Sequence, residues 1–312
     1  MLNAQRAMTT PRVLVDRSLP SSEERDCANA LREEHRSLIE ALKHPDDDVI
    51  GDIRISRFLR CNGGSKRKAS KAFKHFLEFR TEGDYRIERL RKVVIGLPPN
   101  EFISWCAGMR NPYLKLAPFC GETEDHDVVF WVWNGGIDGE QFIHNRPEGH
   151  TIHADMDFLV CVLEWLMWYL NDQSKKHSAM CYSVKVVDFD GMREKKNPVF
   201  MTETRHLMKF MMAQFSGNYC DHDSLFLLLN TPSFFGVIWT VVKLFMSERQ
   251  RRKVAIVDTP TSNELLGTLL PTACLPSRFG GTTCASDDLY VAIDDKEAFE
   301  KLKVITKAWT QW

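Results

Sequence analysis

From residue 21 to about residue 95, apolar residues return every three or four positions, the spacing that gathers them on one face of a helix. Ser21 and Glu24 stand at capping-box spacing ahead of a first helix, whose Ala28, Leu31, Leu38, Ile39 and Leu42 share a face. A second helix is expected over DIRISRFLR, with Ile55, Phe58 and Leu59 inward, until CNGG breaks it. Ser65 then caps a third, KRKASKAFKHFLEFR, with an apolar stripe of Ala69, Ala72, Phe73, Phe76 and Leu77. Lys66, Arg67, Lys68, Lys71 and Lys74 fall mostly off that stripe. They read as a solvated face over a packed one, with a phosphate-binding patch as the alternative.

Near residue 120 the period changes. VVFWVW reads as a strand followed by the turn residues NGGIDG. A strongly apolar helix over residues 156–170 comes next, then the strand and turn YSVKVVDFDG, the helix VFMTETRHLMKFMMAQF and the strand SLFLLLN. KVAIVD is a further strand and SNELLGTLL a further helix, and LYVAI precedes a last amphipathic helix with Phe299, Leu302, Ile305 and Trp309. Strands alternating with helices predict an α/β fold with a mainly parallel sheet. No internal repeat and no low-complexity linker interrupts the pattern.

One stretch departs from both periods. Residues 234–246, FFGVIWTVVKLFM, are apolar except for a narrow stripe, Gly236, Thr240 and Lys243, which Ser247 extends. At about 1.5 Å per residue a helix of this length reaches roughly 20 Å, short of the roughly 30 Å of a bilayer core. Such a helix is either covered on two sides in a core or faces something apolar. Arg249, Arg251, Arg252 and Lys253 follow directly. An apolar element beside cations suits an anionic lipid surface, whereas a solvated loop before a strand accounts for the cations alone.

Composition narrows the classes. A net charge of −1 over 312 residues gives no general attraction to nucleic acid, so no nucleic-acid partner is expected. Nine cysteines without a C-x-x-C pair, and no N-x-[ST] sequon, fit a reducing compartment and a cytoplasmic location. No run of eighteen apolar residues predicts a membrane span. Residues 1–20 read as a flexible tail, with a transit peptide as the alternative.

Catalytic signatures are weak. G-x-S-x-G, the P-loop and G-x-G-x-x-G are absent. His150, His153, Asp155 and Asp157 in HTIHADMD are the best metal-ligating group, and a polar helix N-terminus explains them as well. Asp188 and Asp190 end a strand, where α/β sheets place functional groups, but a tight Asp-Gly turn also needs them. No enzyme activity and no metal are expected. A hydrolase whose triad assembles only in space is the outlying alternative.

Four segments together resemble the CRAL-TRIO family of lipid-transfer proteins, in particular its phosphatidylinositol-transfer type from the fungal and plant secretory branch. They are ISRFLRCNGGSKRKASKAFKHFLEFR, VKVVDFDGM, LFLLLNTPSFFGVIWTVVKLFM and ELLGTLLPTACLPSRFGGT. The resemblance implies a helical N-terminal domain at 21–95, a lipid-binding α/β domain at 96–284 and a terminal strand and helix at 285–312. It also implies an apolar pocket for one phospholipid, exchanged at a transiently contacted membrane by a monomer with no other cofactor. Residues 234–246 would then be a mobile gate, with Phe235, Ile238, Trp239, Val242 and Phe245 lining its inner face. Val237, Val241 and Leu244 would touch membrane acyl tails, and Arg249, Arg251 and Arg252 the membrane surface. The Met- and Trp-rich helix at 156–170 and MKFMMAQF would supply adaptable walls. About thirty chain CH₂ groups at about 0.8 kcal/mol each put a barrier above roughly 20 kcal/mol against a free lipid in water, hence the enclosure.

By the same resemblance the head group falls to particular residues. The acid of the phosphatidylinositol-binding branch matches Asp221, in a Tyr219-Cys220-Asp221 run that lacks the branch's proline. The lysine opening the strand after the gate matches Lys253. A phosphate-binding arginine is replaced by Asn62, with Lys66 or Arg67 the nearest substitutes. The pair serving phosphatidylcholine falls at Ser183 and Lys185, and a cation at Lys185 opposes choline. Phosphatidylinositol is the leading ligand. A carrier of an isoprenoid or single-chain lipid, and a phosphoinositide sensor that never extracts lipid, are the alternatives.

Overall fold

The computed structural model describes residues 15–81, 86–109, 113–144, 151–192, 217–243, 246, 248–257 and 262–282. The helix expected over VFMTETRHLMKFMMAQF, with MKFMMAQF inside it, lies outside these residues, as do LYVAI and the final helix.

The helical part comprises α1 (Ser22–Glu34), α2 (Arg36–Glu40), α3 (Asp47–Ile50), α4 (Asp52–Cys61), α5 (Lys66–Thr81), α6 (Arg86–Val94) and α7 (Pro99–Met109). The capping box forms as its spacing requires, the Ser21 hydroxyl accepting from Glu24 N–H and the Glu24 carboxylate from Ser21 N–H. Gly63 and Gly64, both at positive φ, turn the chain between α4 and α5. Ala28, Leu31, Ile55, Phe58, Leu59, Ala69, Phe73, Phe76 and Leu77 make one core, while Lys66, Arg67, Lys68, Lys71 and Lys74 are exposed. The amphipathic reading of α5 holds.

The sheet runs in the order β1 (Leu116–Ala117), β2 (Val128–Trp133), β3 (Ser183–Asp188), β4 (Asp223–Leu229) and β5 (Val254–Val257). β1 pairs antiparallel with β2; the other neighbours are parallel. Helices α8 (Gly139–His144) and α9 (Ile152–Lys176) connect β2 to β3, α10 (Phe235–Val242) and α11 (Glu248–Arg252) connect β4 to β5, and α12 (Ser262–Leu269) follows. Period-two alternation gives the sheet two faces. Val129, Trp131, Val184, Val186, Leu227, Leu229 and Val257 pack against Leu266, Leu270 and Phe279. On the opposite face Val128 and Phe130 lie under α6, α7 and α9, and Val187 and Leu228 under Phe235 of α10. The Phe-Gly-Gly close has a steric reason: Gly280 sits at φ +80°, and a Cβ on Gly281 would fall 1.6 Å from the Leu275 carbonyl oxygen.

Ionic groups fuse the helical part to the sheet. Arg80 grips buried Glu164 of α9 through both guanidinium nitrogens, at 2.7 and 3.1 Å, and also reaches Glu88. Arg91 bonds Glu164 at 3.1 Å and Asp48 at 2.7 Å, and the Tyr219 hydroxyl donates to Glu164 at 2.6 Å. Burial alone raises the Glu164 carboxyl, but Arg80 and Arg91 overcome it and hold it at about 2. Arg54, buried between the Phe58, Phe76 and Tyr219 rings, donates to the Asn218 carbonyl at 2.7 Å, and burial pulls it down to about 10.

Residues 15–20 correct the expectation of a flexible tail over 1–20. This segment is strapped across the sheet, with Arg17 bidentate on buried Asp127 at 2.7 Å and the Tyr182 hydroxyl donating to the Asp16 carbonyl at 2.9 Å. Arg60 adds bonds to the Asp16 and Ser18 carbonyls. Backbone held by buried side chains forgoes the freedom of a terminus. Residues 1–14 lie outside the described set.

The apolar helix is also shorter than expected, eight residues instead of the run 234–246. Val237, Ile238, Thr240, Val241 and Val242 are β-branched and weak helix formers, and the Thr240 hydroxyl bonds the Gly236 carbonyl at 2.9 Å. Gly236 and Thr240 are exposed while Phe235 is buried and Trp239 half-buried, so the polar stripe faces out.

Candidate functional site

The amino-terminal ends of β3, β4 and β5 bring a set of polar side chains together on the sheet face that α10 covers. Asp221 occupies a left-handed turn at φ +53° just before β4. Its buried carboxylate accepts from Lys253 Nζ at 2.8 Å and from Arg249 Nε at 2.8 Å, with a second Arg249 nitrogen at 3.3 Å. Lys253 closes the turn before β5, over the Tyr182 ring, and also donates to the Asp223 carbonyl. Arg57 of α4 reaches in from the helical part. It donates to the Asp221 carbonyl at 2.8 Å and the Cys181 carbonyl at 2.7 Å, 5.0 Å from the Tyr182 ring.

The second half of the cluster adjoins it. Ser183 and Lys185 are alternate residues of β3 and so share a face. The Ser183 hydroxyl donates to Asp223 Oδ1 at 2.6 Å, and Lys185 Nζ lies 3.1 Å from the same oxygen. Lys185 also donates to His222 Nε2 at 2.6 Å, and the other ring nitrogen of His222 faces the Tyr219 carbonyl. Burial drives the His222 imidazole down to about 3, leaving it neutral at physiological pH. Burial also lowers the Lys185 ammonium, against the pull of Asp223. The Asp223 carboxyl is pushed up by burial, but the Lys185 ammonium and the Ser183 hydroxyl beside it win and hold it low.

The cluster is rich in cations. Among the described residues, Lys185, Arg249 and Lys253 meet the carboxylates of Asp221 and Asp223, and Arg57 adds a guanidinium that donates to the Asp221 and Cys181 carbonyls. At the rim Arg60 is matched by Glu24 at 2.7 Å, with the exposed Asp16 at 4.0 Å. Cations gathered where water screens them poorly favour an anion.

The apolar partner of this cluster is the floor beside it. Phe226, Leu228, Val254 and Ile256 occupy the same face of β4 and β5, by their pairing. Phe226 and Val254 are only half-buried and Ile256 is 40% exposed, although α10 lies over this half of the sheet through Phe235 and Trp239. A cleft of about 600 Å³ opens elsewhere, between the strap and α1, α3 and α4. Leu19, Ile50 and Ile53 line it together with Arg25, Asp52 and Lys175.

Of the residues singled out from the sequence, Asp221 and Lys253 touch, and Ser183 and Lys185 join them through Asp223. Phe235 and Trp239 lie on the same face; the side chains of Ile238, Val242 and Phe245 lie outside the described set. Arg249 is half-buried and reaches Asp221, Arg252 pairs with Glu248 one helical turn away, and Arg251 is exposed. Asn62 donates its amide to the Phe58 carbonyl at 2.9 Å, and Lys66 and Arg67 point to solvent. Asp188 and Asp190 face Arg278 at 3.4 and 3.0 Å, a clamp across the closing segment. Thr151 caps α9 with Asp155 in its first turn, and no three described residues converge as metal ligands; His150 lies outside them. Sequence reasoning missed His222, Asp223, Tyr182 and Arg57. A polar pair opening the otherwise apolar β4 was the available signal for the first two. No helix among the described residues is long and apolar enough to cross a membrane.

Comparison with known proteins agrees with this architecture. The CRAL/TRIO domain model matches residues 115–281. The CRAL-TRIO domain-containing protein C34C12.6 of Caenorhabditis elegans is 22% identical over 249 residues, covering 77% of this chain but 58% of that protein. F28H7.8 of the same organism, also a CRAL-TRIO domain-containing protein, is 28% identical over 64 residues, which are 20% of this chain and 15% of that one. The chain thus spans less than two thirds of the length of these relatives. The crystal structure of Sfh5 aligns over 94% of this chain and 99% of its own, at a TM-score of 0.57 and 15% identity, a likeness of fold. With the five strands, the Phe-Gly-Gly close and all of the polar cluster but Arg57 inside the matched segment, the chain belongs to the CRAL/TRIO family of lipid-binding domains.

Proposed function

We propose that this protein carries a single anionic phospholipid, phosphatidylinositol being favoured, and exchanges it at membranes. The observation that carries the reading is the pairing of an accessible apolar floor on β4 and β5 with a cation-rich polar cluster at their amino-terminal ends. An amphiphile with a phosphodiester head matches both parts: acyl chains along Phe226, Val254 and Ile256, phosphate toward Lys253 and Arg249. Lys185 next to the head position disfavours choline, whose own charge is positive. Helix α10 is the element that must move for a lipid to enter, and bilayer contact favours the open state because it covers Trp239 and the floor. Arg251 and Arg252 then face the membrane. The helical part (21–95) and the α/β part (96–284) act as one body, joined through Glu164.

One observation favours a carrier of another hydrophobic ligand. Asn62 is occupied in capping α4, and Asp221 already holds two cations, so an inositol ring finds fewer unengaged partners here. Native mass spectrometry of the purified protein, with extraction of co-purifying lipid and vesicle-to-vesicle transfer, separates the readings. A bound phospholipid, and faster transfer of phosphatidylinositol than phosphatidylcholine, are expected. A neutral isoprenoid, or phosphoinositide binding without transfer, overturns the proposal.

A further inference from the structure

Cys61 ends α4, and Cys220 sits in the turn that presents Asp221. Both thiols are reduced. They belong to one apolar cluster, Cys220 buried within it and Cys61 half-buried against it, and the two side chains hydrogen-bond each other across the junction of the helical and α/β parts. Thiols held in contact across two elements, one reachable from solvent, have the arrangement of a reversible bridge. We propose that Cys61 and Cys220 are a redox-sensitive pair that closes to a disulfide in the presence of a disulfide oxidant. The bridge would tie α4 to the Asp221 turn.

The chemistry follows from exposure. Cys61 is the more exposed of the two, so its sulfur, after losing its proton, attacks one sulfur of the oxidant and expels the other half as a thiol. Cys220 loses its proton and attacks the Cys61 sulfur of the mixed disulfide, expelling the second thiol. Two S–H bonds and the oxidant's S–S bond break; one protein S–S bond and two small-molecule S–H bonds form, with two electrons passing to the oxidant. Burial holds the Cys220 thiol well above its ordinary value, which makes the second step slow. The competing pair is Cys106 and Cys161, which sense each other electrostatically but are both buried in the main core. The bridge and the lipid-carrier reading stand independently, and neither one's failure touches the other.

The test treats the full chain with oxidised glutathione, blocks remaining thiols under denaturing conditions, and reads intact mass and linked peptides. A loss of about 2 Da for the two hydrogens, reversed by dithiothreitol and mapping to Cys61–Cys220, is expected. Cys61→Ser, at the half-exposed helix end, should fold and lose that product. Full alkylation of both thiols after oxidation, a glutathione adduct that persists on Cys61, or a bridge mapping to Cys27–Cys61 or Cys106–Cys161 overturns the proposal; the wild-type map alone decides if the variant does not fold.

Discussion

Glu164→Gln removes one charge from the junction between the helical and α/β parts while keeping the shape of the side chain. Glu164 meets Arg80 twice, Arg91 once and the Tyr219 hydroxyl, all buried. Its carboxyl is held at about 2 instead of the ordinary 4.5. That difference stabilises the folded state by about 3 kcal/mol. Because the folded value is the lower one, the contribution is complete above pH 5 and drains away as pH falls from 4.5 toward 2. More than half is gone by about pH 3. Removing one partner of a buried ionic group costs about 3–5 kcal/mol by itself, since Arg80 and Arg91 stay behind. A loss of about 3 kcal/mol corresponds to a fall of roughly 6–12 °C in Tm. Urea unfolding followed by circular dichroism and tryptophan fluorescence, at pH 7 and pH 3, measures both numbers. The gap between wild type and variant should shrink at the lower pH, and both probes should report one transition. A gap below about 1 kcal/mol at pH 7, an undiminished gap at pH 3, or separate melting of the helical part would refute the reasoning.

Three further outcomes follow from the site. Lys253→Met takes a cation from the Asp221 cluster while Arg249 keeps the carboxylate paired; the preference for phosphatidylinositol over phosphatidylcholine in vesicle transfer should drop about tenfold, or 1.4 kcal/mol, and an unchanged ratio removes Lys253 from the head-group site. Trp239→Asp places a charge on the half-buried inner side of α10, so lipid uptake should fall far more than Tm; simple unfolding instead marks Trp239 as core. His222 is buried neutral, so acidification from pH 6.5 to 5 should cost stability as the unfolded chain alone takes up the proton. His222→Gln should flatten that slope, and a variant as acid-sensitive as wild type contradicts the assignment.

The strand runs VVFWVW, VKVVD, SLFLLLN and VAIV were legible because a mainly parallel sheet packed by helices on both faces needs nearly unbroken apolar segments. The capping box at Ser21 and the stripe of α5 were legible for the same local reason, since each partner lies within a few residues. Short β1 carries too few residues to register as a period. Arg54, Arg57 and Arg60 of α4 are all buried, which helical spacing alone does not require. Their partners, Asn218, Asp221 and Cys181, and Glu24 and the strap, lie 36 to 164 positions away or on another element.

The sequence by itself determined the alternation of elements and the apolar character of residues 234–246, because composition and short-range spacing are written in the chain. Only the tertiary structure decided that Arg249 reaches Asp221, that residues 15–20 are a strap, and that His222 and Asp223 complete the polar cluster. Those outcomes depend on which charges meet once water is removed. Desolvation acts on neighbours in space, and neighbours in space are what chain order leaves open.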